Sequence, residues 1–124
     1  MSHDIIADAL NQIMNAKRAK KESVTVKKHS KVLIGVLEIA KSNGYVKDYS
    51  IEGNNLEIKI GKVLDCRAIK PRFNVNKETI DRYLRRYLPG VSMGIVIIST
   101  NKGIMIHSDA MGKNLGGALI AYFY

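Results

Sequence analysis

A chain of 124 residues with 46% hydrophobic content can bury a core as one domain or as two very small ones, and general disorder is excluded. A single cysteine, Cys66, rules out an internal disulfide framework and a cysteine-based zinc finger. No run approaches the roughly 20 apolar residues of a membrane span, and a formal net charge of +9 asks for a polyanionic partner, of which nucleic acid is the commonest.

In chain order, Ile5, Ile6, Ala9, Leu10, Ile13 and Met14 recur at helical spacing, with Ser2 placed to cap the helix and the basic run from Lys17 ending it. The N-terminal Met1-Ser2-His3-Asp4 lacks the basic region of a secretory signal, so a cytoplasmic protein is expected. Ser23-Val24-Thr25-Val26 is short and β-prone. Ser30 precedes a second helix striped by Leu33, Val36, Leu37 and Ala40, which Asn43-Gly44 stops. Tyr45 to Ile51 and Leu56 to Ile60 alternate on either side of the turn Glu52-Gly53-Asn54-Asn55, a β-hairpin signal. Residues 1–66 therefore read as an α-β-α-β-β domain.

Residues 67–124 read as a β-rich domain with one main helix, so that the whole chain is expected to be α+β with two small α/β domains. Ala68 to Val75 is expected to be extended, because Pro71 disfavours helix at Lys70. Asn76 can cap a helix with Ile80, Tyr83, Leu84 and Tyr87 on one side and Arg82, Arg85 and Arg86 mostly on the other; Pro89-Gly90 ends it. The apolar runs Ile95–Ile98 and Ile104–Ile106 then flank a polar loop, Ser99-Thr100-Asn101-Lys102-Gly103, at the tip of a hairpin. A short helical turn after Ser108, the pair Gly116-Gly117 and a last strand from Ala118 to Tyr124 complete the chain.

The charge is uneven. Residues 1–66 carry 11 Lys+Arg against 8 Asp+Glu, and residues 67–124 carry 9 against 3, so the shorter part has twice the net charge. Within the first part, seven cations (Lys17, Arg18, Lys20, Lys21, Lys27, Lys28, Lys31) meet one anion, Glu22, between positions 17 and 31. Reactive chemistry has no comparable support. His3, His29 and His107 are scattered without a second ligand at metal spacing. Ser99 lacks the surroundings of an activated nucleophile, and Gly112 to Gly117 has the wrong order for a phosphate loop. Neither a metal nor another cofactor is expected.

Nucleic-acid binding divides into two contributions. Lys17 to Lys31, Lys70, Arg72, Arg85 and Arg86 would meet phosphates, supplying affinity and salt dependence with little sequence preference. Ser99, Thr100 and Asn101 have the short polar side chains that suit base edges or ribose 2′-hydroxyls in the shallow minor groove of A-form RNA. Taken alone, Asn101-Lys102-Gly103 is also ordinary turn chemistry.

The run Ser99-Thr100-Asn101-Lys102-Gly103-Ile104-Met105, followed by Ala110 and Gly116-Gly117, resembles the C-terminal signature of the eighth protein family of the small ribosomal subunit. The resemblance covers essentially the whole chain, from Ile6-Ala7-Asp8-Ala9-Leu10 and Asn15-Ala16 through Ser30-Lys31 and Gly44-Tyr45. Pro71-Arg72-Phe73, Arg86-Tyr87-Leu88-Pro89 and Ala121-Tyr122-Phe123-Tyr124 are closer to the archaeal and eukaryotic branch than to the bacterial one. The resemblance implies a two-domain, non-enzymatic, ribosome-associated protein that binds a helical element in the central domain of small-subunit rRNA during assembly, beside neighbouring small-subunit proteins. In bacteria the family also binds its own mRNA.

The RNA-binding candidates in the second domain are Ser99, Thr100 and Gly103, which the resemblance implies through the family's loop, with Asn101, Lys102, Gly117, Lys70, Arg72 and Arg86 added from the residues themselves. The first domain adds Asn15, Lys17, Ser30 and Lys31. Many members have serine in place of Asn101, and bacterial members have glutamate in place of Ala118, so a contact from that carboxylate is absent. Two alternatives share the charge evidence: a free-standing RNA regulator or chaperone, and an RNA-processing enzyme.

Overall fold

A computed structural model describes residues 5–69, 74–90 and 93–124. The caps expected of Ser2 and the extended conformation expected around Pro71 lie outside the described residues. The chain divides into two compact units, residues 1–67 and 68–124. Both combine helices with antiparallel sheet, giving an α+β protein.

In the first unit, helix α1 (Ile5–Arg18) buries Ile6, Ala9, Leu10, Ile13 and Met14, the stripe set by the 3.6-residue period. It ends with Lys20 at φ +60°, the left-handed position more often given to glycine, while the Lys21 N–H donates to the Ala16 carbonyl at 2.8 Å. Strand β1 (Ser23–Val26) follows. Ser30 caps helix α2 (Lys31–Ser42), its hydroxyl accepting from the Leu33 N–H at 3.2 Å. Strands β2 (Val46–Glu52) and β3 (Asn55–Ile60) form the hairpin, with Gly53-Asn54 as its turn, so Glu52 and Asn55 belong to the strands rather than to the turn.

The sheet order is β1-β3-β2. Its helix-facing side is built from Val24, Val26, Leu56 and Ile58, opposite one another in register. The other side presents Ser23, Thr25, Glu57 and Lys59. The alternation of β2 does not translate into burial. Ile51, near the turn end of β2, pairs with the fully buried Leu56 but stays 50% exposed.

The second unit is built on the sheet order β4-β8-β6-β7, with β5 also pairing β8. Strand β4 (Cys66–Ala68) carries the junction, and the next residue, Ile69, donates its N–H to the Ile120 carbonyl at 2.8 Å. After β5 (Asn74–Val75), helix α3 (Lys77–Tyr87) starts with a reciprocal cap: Asn76 Oδ1 accepts from the Glu78 and Thr79 N–H groups, each at 3.0 Å, and Thr79 Oγ1 accepts from the Asn76 N–H at 3.0 Å.

Strands β6 (Ile95–Thr100) and β7 (Gly103–Ile106) lead to the short helix α4 (His107–Gly112) and the last strand β8 (Gly117–Phe123). Helix α4 begins at His107, earlier than the turn expected after Ser108. Ile69, Val75, Ile80, Val96, Ile98, Ala110 and Leu119 form the core of this unit. Tyr83, Leu84 and Tyr87 of α3 pack against it, leaving Arg82, Arg85 and Arg86 exposed on the opposite side of the helix.

Candidate nucleic-acid interface

The polar stretch at the β6–β7 tip is shorter than the sequence pattern implies. Ser99 and Thr100 are strand residues, paired with Ile104 and Gly103, and only Asn101 and Lys102 form the turn. Ser99 stays in the ladder because β8 pairs with β6 on the other side, setting Ser99 opposite Ala118. Neither Asn101 nor Lys102 has a positive φ; that role falls to Gly103, at φ +115°. The tip therefore avoids the primed two-residue turns, in which a central residue needs positive φ.

Thr100 ties the turn together. Its Oγ1 accepts from the Lys102 N–H at 3.1 Å and donates to the Gly103 carbonyl at 2.8 Å. Strand alternation puts Ser99 and Thr100 on opposite faces of the sheet. The Ser99 hydroxyl makes no side-chain hydrogen bond among the described residues. One hydroxyl is thus committed to shaping the tip, and the other is not. Asn101, Lys102 and Gly103 are all exposed.

Gly117 sits beside the tip for a steric reason. A Cβ there would lie 2.1 Å from the Ser99 carbonyl oxygen, and one on Gly116 would lie 2.4 Å from the Val75 carbonyl oxygen. The double glycine lets β8 enter the sheet between β5 and β6. Sequence reasoning recognised the pair as a turn before a packed strand, but the neighbour it clears, Ser99, is visible only in the fold.

Pairing register then divides the second unit into two ends. At one end, Asn74 faces Ala118, Ser99 faces Ala118 and Thr100 faces Gly103. At the other, Ile95 faces Phe123 and Val96 faces Tyr122, on which Tyr87 stacks at 5.5 Å. Helix α3 starts at the first end, since a Cβ on Gly116 would lie 2.9 Å from Asn76 Cα, and finishes at the second. Arg86, expected as a phosphate contact, is therefore far from the hairpin tip. Lys70 and Arg72 lie outside the described residues.

In the first unit, Asn15 and Lys31 are exposed, while Lys17 and Ser30 are half-buried. Ser30 is engaged as the α2 cap, and the Lys17 ammonium donates to the Val63 carbonyl. Asn15 Oδ1 accepts weakly from Arg18 at 3.4 Å. Asn15 and Lys17 belong to the last turn of α1, whereas Ser30 and Lys31 open α2. His29 Nε2 lies 3.3 Å from the Gly53 carbonyl, joining the loop before α2 to the β2–β3 turn.

Two groups that might have carried chemistry serve the fold instead. The Cys66 thiol is buried and its pKa is pushed up to about 12, chiefly by burial. His107 opens α4, and its Nδ1 accepts from the Val96 N–H at 3.2 Å, which requires that nitrogen to be unprotonated. Burial lowers its pKa, against the weaker opposing pull of Asp109. Nothing in the local sequence around His107 signals that partner eleven residues away. No cluster of three or more metal-ligating side chains occurs among the described residues, and no described helix is long and apolar enough to cross a membrane.

A family model described as ribosomal protein S8 matches residues 4–124, the polar tip and double glycine included. The chain belongs to the ribosomal protein S8 family. It is 37% identical over 129 residues to the small ribosomal subunit protein uS8 of Archaeoglobus fulgidus and 36% identical over 129 residues to that of Nanoarchaeum equitans, with 100% of both chains covered in each case. Identity to small ribosomal subunit protein uS8A of Schizosaccharomyces pombe is 32% over 125 residues, covering 97% of this chain and 96% of that one. The S8 match is thus of the archaeal and eukaryotic type, as the residues around Arg72 and Tyr122 suggested.

Proposed function

We propose that the chain is a structural, non-enzymatic constituent of the small ribosomal subunit that binds a helical element in the central domain of its rRNA, beside neighbouring small-subunit proteins. The observation that carries this reading is the β6–β7 tip: a Thr100-braced turn that leaves the Ser99 hydroxyl and the exposed Asn101 and Lys102 side chains to a ligand. A tip held by its own hydrogen bonds is pre-organised, so binding RNA costs little ordering entropy. Cations of the first unit, with Asn15 and Lys31 exposed, supply phosphate contacts that add affinity without reading sequence. Binding to its own mRNA is a further expectation of the family resemblance, using the same tip on a similar RNA fold. On this reading the protein resides in the cytoplasm with the ribosome.

The double variant Ser99→Ala with Thr100→Ala tests the tip. It is expected to lower affinity for the cognate helix roughly tenfold or more while leaving the slope of log K against log salt nearly unchanged, because no cation is removed. Unchanged affinity would remove the tip from the interface.

A further inference from the structure

Asn43-Gly44 is the one Asn-Gly pair in the chain, and it closes helix α2 in the turn before β2. In such a pair the following backbone nitrogen can attack the side-chain amide carbon, because glycine carries no Cβ to obstruct the approach. Every other asparagine precedes a residue with a side chain, including Asn54, Asn101 and Asn114 in their turns. Asn43 and Gly44 are both exposed, so water reaches them.

The helix cap holds the pair away from reaction. The Gly44 N–H donates to the Lys41 carbonyl at 3.1 Å and the Tyr45 N–H to the Ala40 carbonyl at 2.9 Å, the paired closure of a Schellman motif, with Gly44 at φ +84°. The attacking nitrogen is thereby engaged through the proton it must lose. The Asn43 side chain is engaged as well: its Nδ2 donates to the Ile39 carbonyl at 2.8 Å. At ψ 5° the Gly44 nitrogen eclipses Asn43's own nitrogen, whereas ring closure needs it to eclipse Cβ, a third of a turn away about the Cα–C bond.

We propose that Asn43-Gly44 is a fold-gated modification site, silent while the α2 cap is closed and converting to aspartate and isoaspartate when the cap opens. Hydroxide takes the Gly44 amide proton, the nitrogen bonds to Asn43 Cγ, and the Cγ–Nδ2 bond breaks to release ammonia, whose third proton comes from water. Water then opens the five-membered imide: addition at Cγ gives aspartate, and addition at the main-chain carbonyl carbon gives isoaspartate. The change is one-way for the fold. Either product places a carboxylate at the negative end of the α2 dipole. Isoaspartate also adds a methylene to the main chain just before Gly44, whose carbonyl accepts from the Lys62 N–H at 2.9 Å, beside the Gly61 N–H donating to the Tyr45 carbonyl at 3.0 Å. A chain held folded keeps its amide; a chain that lingers unfolded loses it and cannot rebuild the α2–β2 turn.

The test incubates the full-length protein at pH 8 in buffer and in urea above the unfolding transition, then maps its peptides by mass spectrometry. Isoaspartate is read by methyl transfer from S-adenosylmethionine with an isoaspartyl methyltransferase. In urea, position 43 should convert before any other asparagine, and in the folded protein at least about tenfold more slowly, since the helix end must first open. Urea added below the transition should barely raise the folded-state rate, because opening one helix turn exposes little surface. Asn43→Gln, whose longer side chain closes no five-membered imide, should abolish the signal.

Gly61→Ala tests the gate from outside the pair. A Cβ on Gly61 would lie 2.6 Å from the Gly44 carbonyl oxygen and 3.0 Å from the Tyr45 carbonyl carbon, so it pushes on the cap without touching the reacting atoms. With folding checked by circular dichroism, conversion in this variant should rise about fivefold or more. Should the variant not fold, the wild-type comparison alone decides. Equal rates in buffer and urea would overturn the inference, as would earlier conversion of a different asparagine in the unfolded chain. A folded Gly61→Ala that converts no faster than wild type, or a folded-state rate that climbs with urea as steeply as global unfolding, would also overturn it.

Discussion

Replacing Gly117 by alanine should break the sheet at the point where the tip is anchored. The added Cβ would lie 2.1 Å from the Ser99 carbonyl oxygen and 2.8 Å from its carbonyl carbon, whereas ordinary contact begins at 3.4 Å. The atoms in the way are backbone, so no side-chain rotation relieves the clash; β6 and β8 must part by about 1 Å. Overpacking of this kind costs about 1–3 kcal/mol, and the ladder bonds beside Ser99 and Ala118 stretch at a further cost of about 1 kcal/mol. A loss of about 3 kcal/mol, at an m-value of roughly 1.5 kcal/mol/M, lowers the urea midpoint of the second unit by about 2 M.

Gly112→Ala is the matched control, since nothing lies within 4 Å of its Cβ position, and its midpoint should move by less than about 0.5 kcal/mol in equivalent stability. Equilibrium urea unfolding followed by tyrosine fluorescence and circular dichroism reads both. Equal midpoints for the two variants would refute the close-approach argument. Any RNA-binding defect of Gly117→Ala then reports displacement of Ser99 rather than a lost glycine contact.

Two further outcomes concern groups built into the fold. His107 has its pKa lowered by burial, so the native state favours the neutral ring; its contribution to stability is fully present above the unfolded value of about 6.5 and is lost as pH falls through the lower folded value. Urea midpoints measured from pH 7.5 to 5 should therefore fall more steeply for the wild type than for His107→Asn, which keeps an acceptor for the Val96 N–H but cannot titrate in this range; parallel curves would contradict the assignment. Cys66, buried with its thiol pushed up to about 12, should resist a thiol-specific reagent at pH 8 in the native protein and react at once in denaturant. Rapid native labelling would show that its site opens.

Most of the first unit was legible because its patterns are local. The apolar stripe of α1, Ser30 as a cap and Gly44 at φ +84° each follow from residues a few positions apart. The second unit was less so. Polar Ser99 and Thr100 read as loop, yet pairing with β7 and β8 keeps them in the strand, and that pairing is set by residues up to twenty positions away. The same limit applies to Ile51, whose alternation cannot reveal that it stays exposed beside the buried Leu56.

For the candidate site, the spacing of residues in the chain does not show which of them the fold brings together. Ser99 and Gly117 were chosen separately and prove to be adjacent, whereas Arg86, chosen as a phosphate contact, lies at the opposite end of the sheet from them. The Lys17 ammonium, chosen for phosphate, also ties α1 to the Val63 carbonyl, a tertiary partner that no local motif announces.

The most direct measurement is a salt-titrated competition between a central-domain rRNA helix fragment and an unrelated RNA duplex of equal length for the purified protein. A preference for the rRNA helix by a factor of hundreds or more, persisting as salt rises, is the predicted result. Equal binding to both duplexes, collapsing together with salt, would contradict it and leave only the attraction of a +9 protein for any polyanion.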